Sequence, residues 1–195
     1  MRYLLLLCAV GCADNISHET TPADASITPG DDSGSGSGSG SGLGSGTPGK
    51  ASTTRNSDGS YTTIVDATSQ TDWTDVDFET GGQVDDSAAW DLRAQRFHIS
   101  TNNAGGVKVA PLAQTFAATT TAPADGYIQD TDTTTYAFDE GDGWYDYDAT
   151  THVLTPKALT YVVITDGGAT LKFEIQKYYD AAGTSGVFTW HWAPL

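Results

Sequence analysis

The sequence predicts an all-β, mostly antiparallel single domain behind a disordered N-terminal tether. Three observations predict it. Short runs of β-branched and aromatic residues recur from Tyr61 onward, separated by turns rich in Gly, Asn and Asp. In the clearest run, Leu171, Phe173 and Ile175 fall on one face of a strand while Lys172, Glu174 and Gln176 fall on the other. Nowhere does a sustained 3.6-residue period with end caps announce a long helix. Every aromatic residue except Tyr3 lies at or after Tyr61, so a packed core can be built only there.

The chain opens with Met1-Arg2-Tyr3 and the apolar run Leu4–Gly11, a positive start and a short greasy stretch that predict a secretory signal peptide over residues 1–11. Ala9-Val10-Gly11-Cys12 resembles a bacterial lipobox, which makes Cys12 the lipidation site of an exported, membrane-anchored lipoprotein. Cys8 leaves with the leader, so the mature chain keeps one of its 2 cysteines and has no internal disulfide to form. Residues 12–59 are Ser, Gly, Thr, Pro and Asp with almost nothing to bury, and Ser33 to Gly42 alternates Ser and Gly. This predicts a flexible lipid-anchored linker with a typical reach of roughly 35–40 Å.

The β domain is expected over residues 60–195. Ser60–Asp66 reads as its first strand and Trp73–Phe78 as its second, closed by Gly81-Gly82. Trp90–Thr101 reads as one central strand, with Trp90 inside the sheet, ended by the polar turn Asn102-Asn103-Ala104-Gly105-Gly106. Val107–Pro111 is a short strand, and the Ala/Thr/Pro-rich stretch 113–125 is irregular. Tyr127-Ile128, Tyr136–Phe138 and Trp144–Tyr147 are brief apolar pieces between acidic turns. Tyr161–Thr165, the turn Asp166-Gly167-Gly168 and Ala169–Tyr179 form a hairpin. Val187–Trp192 is the last strand.

Charge narrows the function. With 9 basic against 25 acidic residues, net −16, the chain lacks the basic footprint that nucleic-acid binding requires. It carries no HExxH, P-loop, dinucleotide fingerprint or GxSxG in the expected folded part, and no mature Cys to pair with a His, so an enzyme is not expected.

Several pieces now stand in one order: Asp66-Ala67 before Trp73; Trp90-Asp91-Leu92 with Arg96, Ile99, Asn102 and Gly105-Gly106; Pro123 with Asp125-Gly126-Tyr127; Gly143-Trp144-Tyr145; the Tyr161–Ile164 hairpin with Asp166-Gly167; Leu171-Lys172-Phe173 leading to Tyr178-Tyr179; and Gly186-Val187-Phe188-Thr189-Trp190. This set resembles the HmuY-type family of bacterial lipoproteins over about Thr62 to Trp192. The resemblance implies an all-β domain on a lipid anchor at the outer membrane or cell surface. It also implies haem as cofactor, gripped by two axial side chains and passed to an outer-membrane receptor. The family's first histidine falls in the stretch matching Gln129–Asp142, which holds no His here. The second falls near Asp148-Ala149-Thr150, where the nearest is His152.

Haem iron needs nitrogen, sulfur or phenolate donors beside an apolar wall. The candidate haem-binding residues are therefore His152, on an expected hairpin tip, with Trp144, Tyr145 and Tyr147 as a flat aromatic wall. The same aromatics would equally close one end of the core. His98 and His191 read as structural or exposed strand residues. Asp130-Thr131-Asp132 and Asp139–Gly143 offer oxygens to Ca²⁺, but neither matches EF-hand spacing, so no metal ligand is assigned and solvated acidic loops are expected. Three functions stay open: a haem-binding surface lipoprotein, a surface interaction or structural lipoprotein module that does not bind haem, and a carbohydrate or Ca²⁺-dependent binding module.

Overall fold

The computed structural model describes residues 49–85, 89–132, 134–139, 141 and 143–195. The expected leader, Cys12 and the tether up to residue 48 lie outside the described residues. Twelve strands follow in chain order: β1 (Ala51–Arg55), β2 (Tyr61–Asp66), β3 (Thr74–Asp77), β4 (Gly82–Val84), β5 (Leu92–Gln95), β6 (His98–Thr101), β7 (Lys108–Leu112), β8 (Tyr145–Asp148), β9 (Val153–Pro156), β10 (Thr160–Ile164), β11 (Thr170–Tyr179) and β12 (Ser185–Pro194). Ten form one sheet in the order β6-β5-β3-β4-β1-β2-β12-β11-β10-β7, and β8 and β9 form a separate hairpin. The strand pairings are antiparallel, as the period-two patterns require. Helical structure among the described residues is confined to single 3₁₀ turns at Phe116–Ala118 and Ala137–Asp139.

The core follows from alternation in the two longest strands. Leu171, Phe173 and Ile175 of β11 and Phe188, Trp190 and Trp192 of β12 all point inward and are buried. Phe173 and Trp190 meet edge to face at 5.4 Å, and Phe78 and Trp192 at 5.0 Å. Each such aromatic contributes about 2–3 kcal/mol by leaving water. The Trp192 indole N–H donates to the Thr63 hydroxyl at 2.9 Å, so its polar edge is satisfied inside the core. At the start of β12, Gly186 has φ +87 and its carbonyl accepts the Ala67 N–H at 2.7 Å. A Cβ there would come within 3.1 Å of the Ala67 carbonyl oxygen, so the approach requires glycine.

Two expectations are corrected. The linker was expected to reach residue 59, yet Ala51–Arg55 is strand β1, paired residue for residue with β2. Its Ser and Thr side chains bury little. The strand is held by the ladder and by the Thr53–Thr63 hydroxyl pair at 2.8 Å, so hydrophobic pattern could not reveal it. Trp90–Thr101 is likewise not one central strand. It is the β5–β6 hairpin at the sheet's edge, and Trp90 precedes β5, half-buried. The chain reverses at Arg96, which adopts φ 52. Its N–H donates to the Ala67 carbonyl at 2.7 Å, and its guanidinium donates to the Thr68 carbonyl at 3.2 Å and the Ser185 hydroxyl at 3.0 Å. These contacts hold an arginine where a turn normally takes Gly or Asn.

Asp91 pins that hairpin to the rest of the fold. Its carboxylate, fully buried, accepts the Phe78 N–H at 2.8 Å and the Asp166 N–H at 2.9 Å. Burial pushes its pKa up to about 7; the neighbouring Glu79 carboxyl adds to the rise, and the two N–H donors oppose it. The folded state therefore holds a proton that the unfolded chain releases near pH 4. Stability from this group is present below about pH 4 and is lost as pH rises toward 7. We expect the melting temperature to fall between pH 5 and pH 8, on the order of a few kcal/mol in stability. Asp91→Asn should flatten that slope, and a slope unchanged in the variant would assign the titration elsewhere.

Candidate functional site

The β8–β9 hairpin carries Tyr145, Tyr147 and His152, three of the candidate residues singled out from sequence. Asp148 begins its turn, accepting the Thr150 and Thr151 N–H groups at 2.7 and 3.1 Å, and these donors hold its carboxyl below the usual range. The His152 N–H closes the turn onto the Asp148 carbonyl at 2.8 Å, and His152 takes φ 58. The imidazole thus stands on the exposed tip. Tyr145 and Tyr147, two residues apart on β8, share a face. The Tyr147 hydroxyl hydrogen-bonds His152 Nδ1. With Nδ1 occupied on this exposed residue, Nε2 is the ring nitrogen left over, the division of roles a metal-binding imidazole needs.

Trp144 stands apart from its neighbours. Its side chain is 1% exposed, packed on Tyr178 at 5.6 Å and Phe188 at 5.3 Å, with its indole N–H donating to the Phe97 carbonyl at 3.0 Å. A closed-in indole offers no face to a ligand, so Trp144 anchors the hairpin to the core while Tyr145, half-buried, and Tyr147, 54% exposed, form the accessible wall. The hairpin's other arm is tied down where the Tyr179 hydroxyl accepts the Leu154 N–H at 3.1 Å.

The wall continues onto the β5–β6 hairpin, which sequence reasoning had not connected to it. Tyr145 meets Phe97 edge-on at 6.2 Å, Phe97 lies against His98 at 4.2 Å, and His98 against Tyr136 at 5.0 Å. Tyr136 reaches Trp73 at 5.8 Å, and the Arg93 guanidinium lies over both Trp73, at 4.5 Å, and Trp90, at 4.8 Å. A line of part-exposed rings therefore runs from His152 to Trp90. His98 Nδ1 sits 3.4 Å from Asp139 Oδ2, and burial raises the Asp139 carboxyl above its ordinary value. The only sequence signal for this ridge was the aromatic content of each loop. Their meeting depends on the Arg96 turn.

His191 is structural, as expected: its ring nitrogens lie 2.9 Å from Glu174 Oε1 and 2.9 Å from the Ser60 hydroxyl, and it stacks on Phe116 at 4.1 Å. The acidic loops match the solvated picture in part: Asp132 is exposed, whereas Asp130 is buried. Asp130 is buried and spends its carboxylate on internal donors, while Asp132 caps its own turn through the Thr134 and Thr135 N–H groups at 2.7 and 2.8 Å. Glu140 and Asp142 lie outside the described residues. Four other carboxylates converge instead: Asp77, Glu79, Asp91 and Asp166 place oxygens within 4.8 Å of one another. A hard cation could be held by such a set. Asp91, however, already accepts two backbone N–H groups, and Asp77 accepts the Glu79 N–H at 2.8 Å. The cluster acts as a crosslink between β3, the start of β5 and the β10–β11 turn.

The described residues thus form an antiparallel sheet with one small separate hairpin that carries an exposed imidazole at its tip. The chain belongs to the HmuY family: the family profile described as "HmuY protein" matches residues 69–192. No curated protein is significantly similar in sequence. Among solved structures, a candidate lipoprotein from Bacteroides fragilis aligns at TM-score 0.57 and 21% identity, covering 73% of this chain and 94% of its own. A candidate HmuY-like haem-binding protein from Bacteroides vulgatus aligns at TM-score 0.55 and 21% identity, covering 70% and 92%. The apo form of a HmuY analogue from Tannerella forsythia aligns at TM-score 0.55 and 16% identity, covering 75% and 98%. At these identities the likeness is one of fold.

Proposed function

We propose that this chain is an exported lipoprotein, anchored through Cys12 at the outer membrane or cell surface, that binds haem and delivers it to an outer-membrane receptor. Residues 13–48 serve as the tether between anchor and domain. His152 supplies an axial nitrogen through Nε2, and Tyr147 fixes its orientation. Tyr145 and Phe97 give the porphyrin an apolar face. The observation that carries this reading is the His152–Tyr147 hydrogen bond, which pre-orients a donor that haem iron accepts. Family membership supports the same ligand class. Haem, when bound, would bring the redox-active iron; the protein's part is to hold and shield it, with no catalytic step.

A second reading has its own support. The cavity beside the hairpin measures about 200 Å³, less than the roughly 300–1,000 Å³ of an ordinary small-molecule site, so no closed haem slot is preformed there. This favours a surface interaction module of the same fold that does not bind haem. Titrating the mature chain with haemin separates the two. We expect a saturable Soret shift, abolished in His152→Ala and weakened about tenfold in Tyr147→Phe. No shift at micromolar haemin would leave the interaction module as the reading.

A further inference from the structure

The far end of the aromatic ridge is chemically unlike the His152 end. On β5, Leu92 and Ala94 turn into the core, so Arg93 and Gln95 occupy the opposite face. The β5–β6 register sets His98 directly across from Gln95, which gathers a guanidinium, an amide and an imidazole on one patch of the sheet. Trp73, Trp90 and Tyr136, all half-buried, stand around them. The Arg93 guanidinium is held by rings rather than by acceptors. It lies over both indoles, at 4.5 and 4.8 Å, and its Nε is buried with no hydrogen-bond partner among the described residues. His98 is held by the Phe97 and Tyr136 rings at 4.2 and 5.0 Å and by Asp139 at its Nδ1, which leaves Nε2 to face a ligand. Groups placed before a ligand arrives lose little freedom when it binds.

Charge and shape select the ligand. Asp75 stands opposite Arg93 across the β3–β5 ladder and Asp139 lies beside His98, so one guanidinium is matched by two carboxyls in a chain of net charge −16. An anionic ligand is therefore disfavoured. The patch suits an uncharged molecule with a flat apolar face for the rings and a rim of oxygens for the planar polar side chains, which is the chemistry of a sugar ring. We propose that this patch binds a neutral glycan, a pyranose packing its C–H face on the indoles while its hydroxyls meet the Arg93 Nη groups, the Gln95 amide and His98 Nε2. It uses none of His152, Tyr147, Tyr145 and Phe97, so it stands whether or not haem binds.

Tryptophan fluorescence of the mature chain tests it. Of the 5 tryptophans, Trp144, Trp190 and Trp192 are buried, so Trp73 and Trp90 are the ones a ligand can reach. Titration with maltotriose, cellotriose, mannotriose, xylotriose and galactotriose should give a saturable emission change with at least one of them, at a Kd of about 1 mM or below. Trigalacturonate, an acidic counterpart, should bind more weakly than the best neutral sugar. Arg93→Gln should weaken binding about tenfold, the margin of one charge-assisted hydrogen bond. Gln95→Ala, a truncation outside the core, should also weaken it, and His152→Ala should bind the sugar as the parent does. The proposal is overturned by no saturable change with any neutral sugar, by trigalacturonate binding tightest, by an affinity unchanged in Arg93→Gln or Gln95→Ala, or by sugar binding lost in His152→Ala.

Discussion

Asp130→Ala is expected to destabilise the fold by about 3–5 kcal/mol, read as a lower denaturation midpoint in urea. The carboxylate takes the Ser100 hydroxyl at 2.7 Å, the Thr101 N–H at 3.1 Å, the Thr101 hydroxyl at 3.0 Å and the Ala137 N–H at 2.8 Å. All four contacts are buried, so removing the acceptor strands donors with no water to turn to. The bonds also join β6 to the Ala137–Asp139 turn, which carries Phe138 into the core and Asp139 to His98. Asp130→Asn, which keeps the shape but presents an amide where an acceptor is needed, should cost less than the alanine change. A loss under about 1 kcal/mol for Asp130→Ala would show that the loop relaxes to satisfy its own donors.

Trp144→Ala should cost a similar amount, about 3–5 kcal/mol, because it empties a large, fully enclosed volume. Its consequence differs in kind. Trp144 is what the β8–β9 hairpin stands on, through ring contacts to Tyr178 and Phe188 and the bond to the Phe97 carbonyl. Without it, Tyr145, Tyr147 and His152 lose their registry with Phe97 and His98, so any haemin response should fall with stability. Trp144→Phe keeps a ring but removes the donor and part of the ring area. It should cost nearer 1 kcal/mol beyond the loss of ring area, and keep the response. If both variants melt like the parent, the hairpin is held by its other tie at Tyr179.

The parts legible in the sequence were those where one local rule sufficed. Alternation found β11 and β12, Asp166-Gly167-Gly168 marked a hairpin, and Asp148-Ala149-Thr150-Thr151 placed His152 on a tip. The ordered set of Trp, Asp, Asn and Gly residues identified the family, and the structure explains several of them as pins: Asp91 to Phe78 and Asp166, and Asn102 to the Trp90 carbonyl at 2.8 Å. What escaped depends on distant partners. A turn at Arg96 has no local signal, since its positive φ is bought by carbonyls around Thr68 and Ser185. The Asp77–Asp166 convergence spans most of the domain with no spacing to read. Tyr145 and Trp144 are adjacent and chemically alike, and only the hairpin's pose sends one to the wall and the other to the core. The ridge through His98 needed that same pose.

The position of β2 constrains the order of assembly. It is flanked by β1 on one side and by β12 on the other, with Trp190 opposite Thr63 and Trp192 opposite Tyr61. Lying early in the domain, β2 thus gains its second neighbour only when Ser185–Pro194 arrives. Contacts so far apart along the chain form slowly. A protein threaded through a pore amino end first would emerge with β2 paired on one side only until its tail came free, and one cut short before Val187 could not complete the sheet at all.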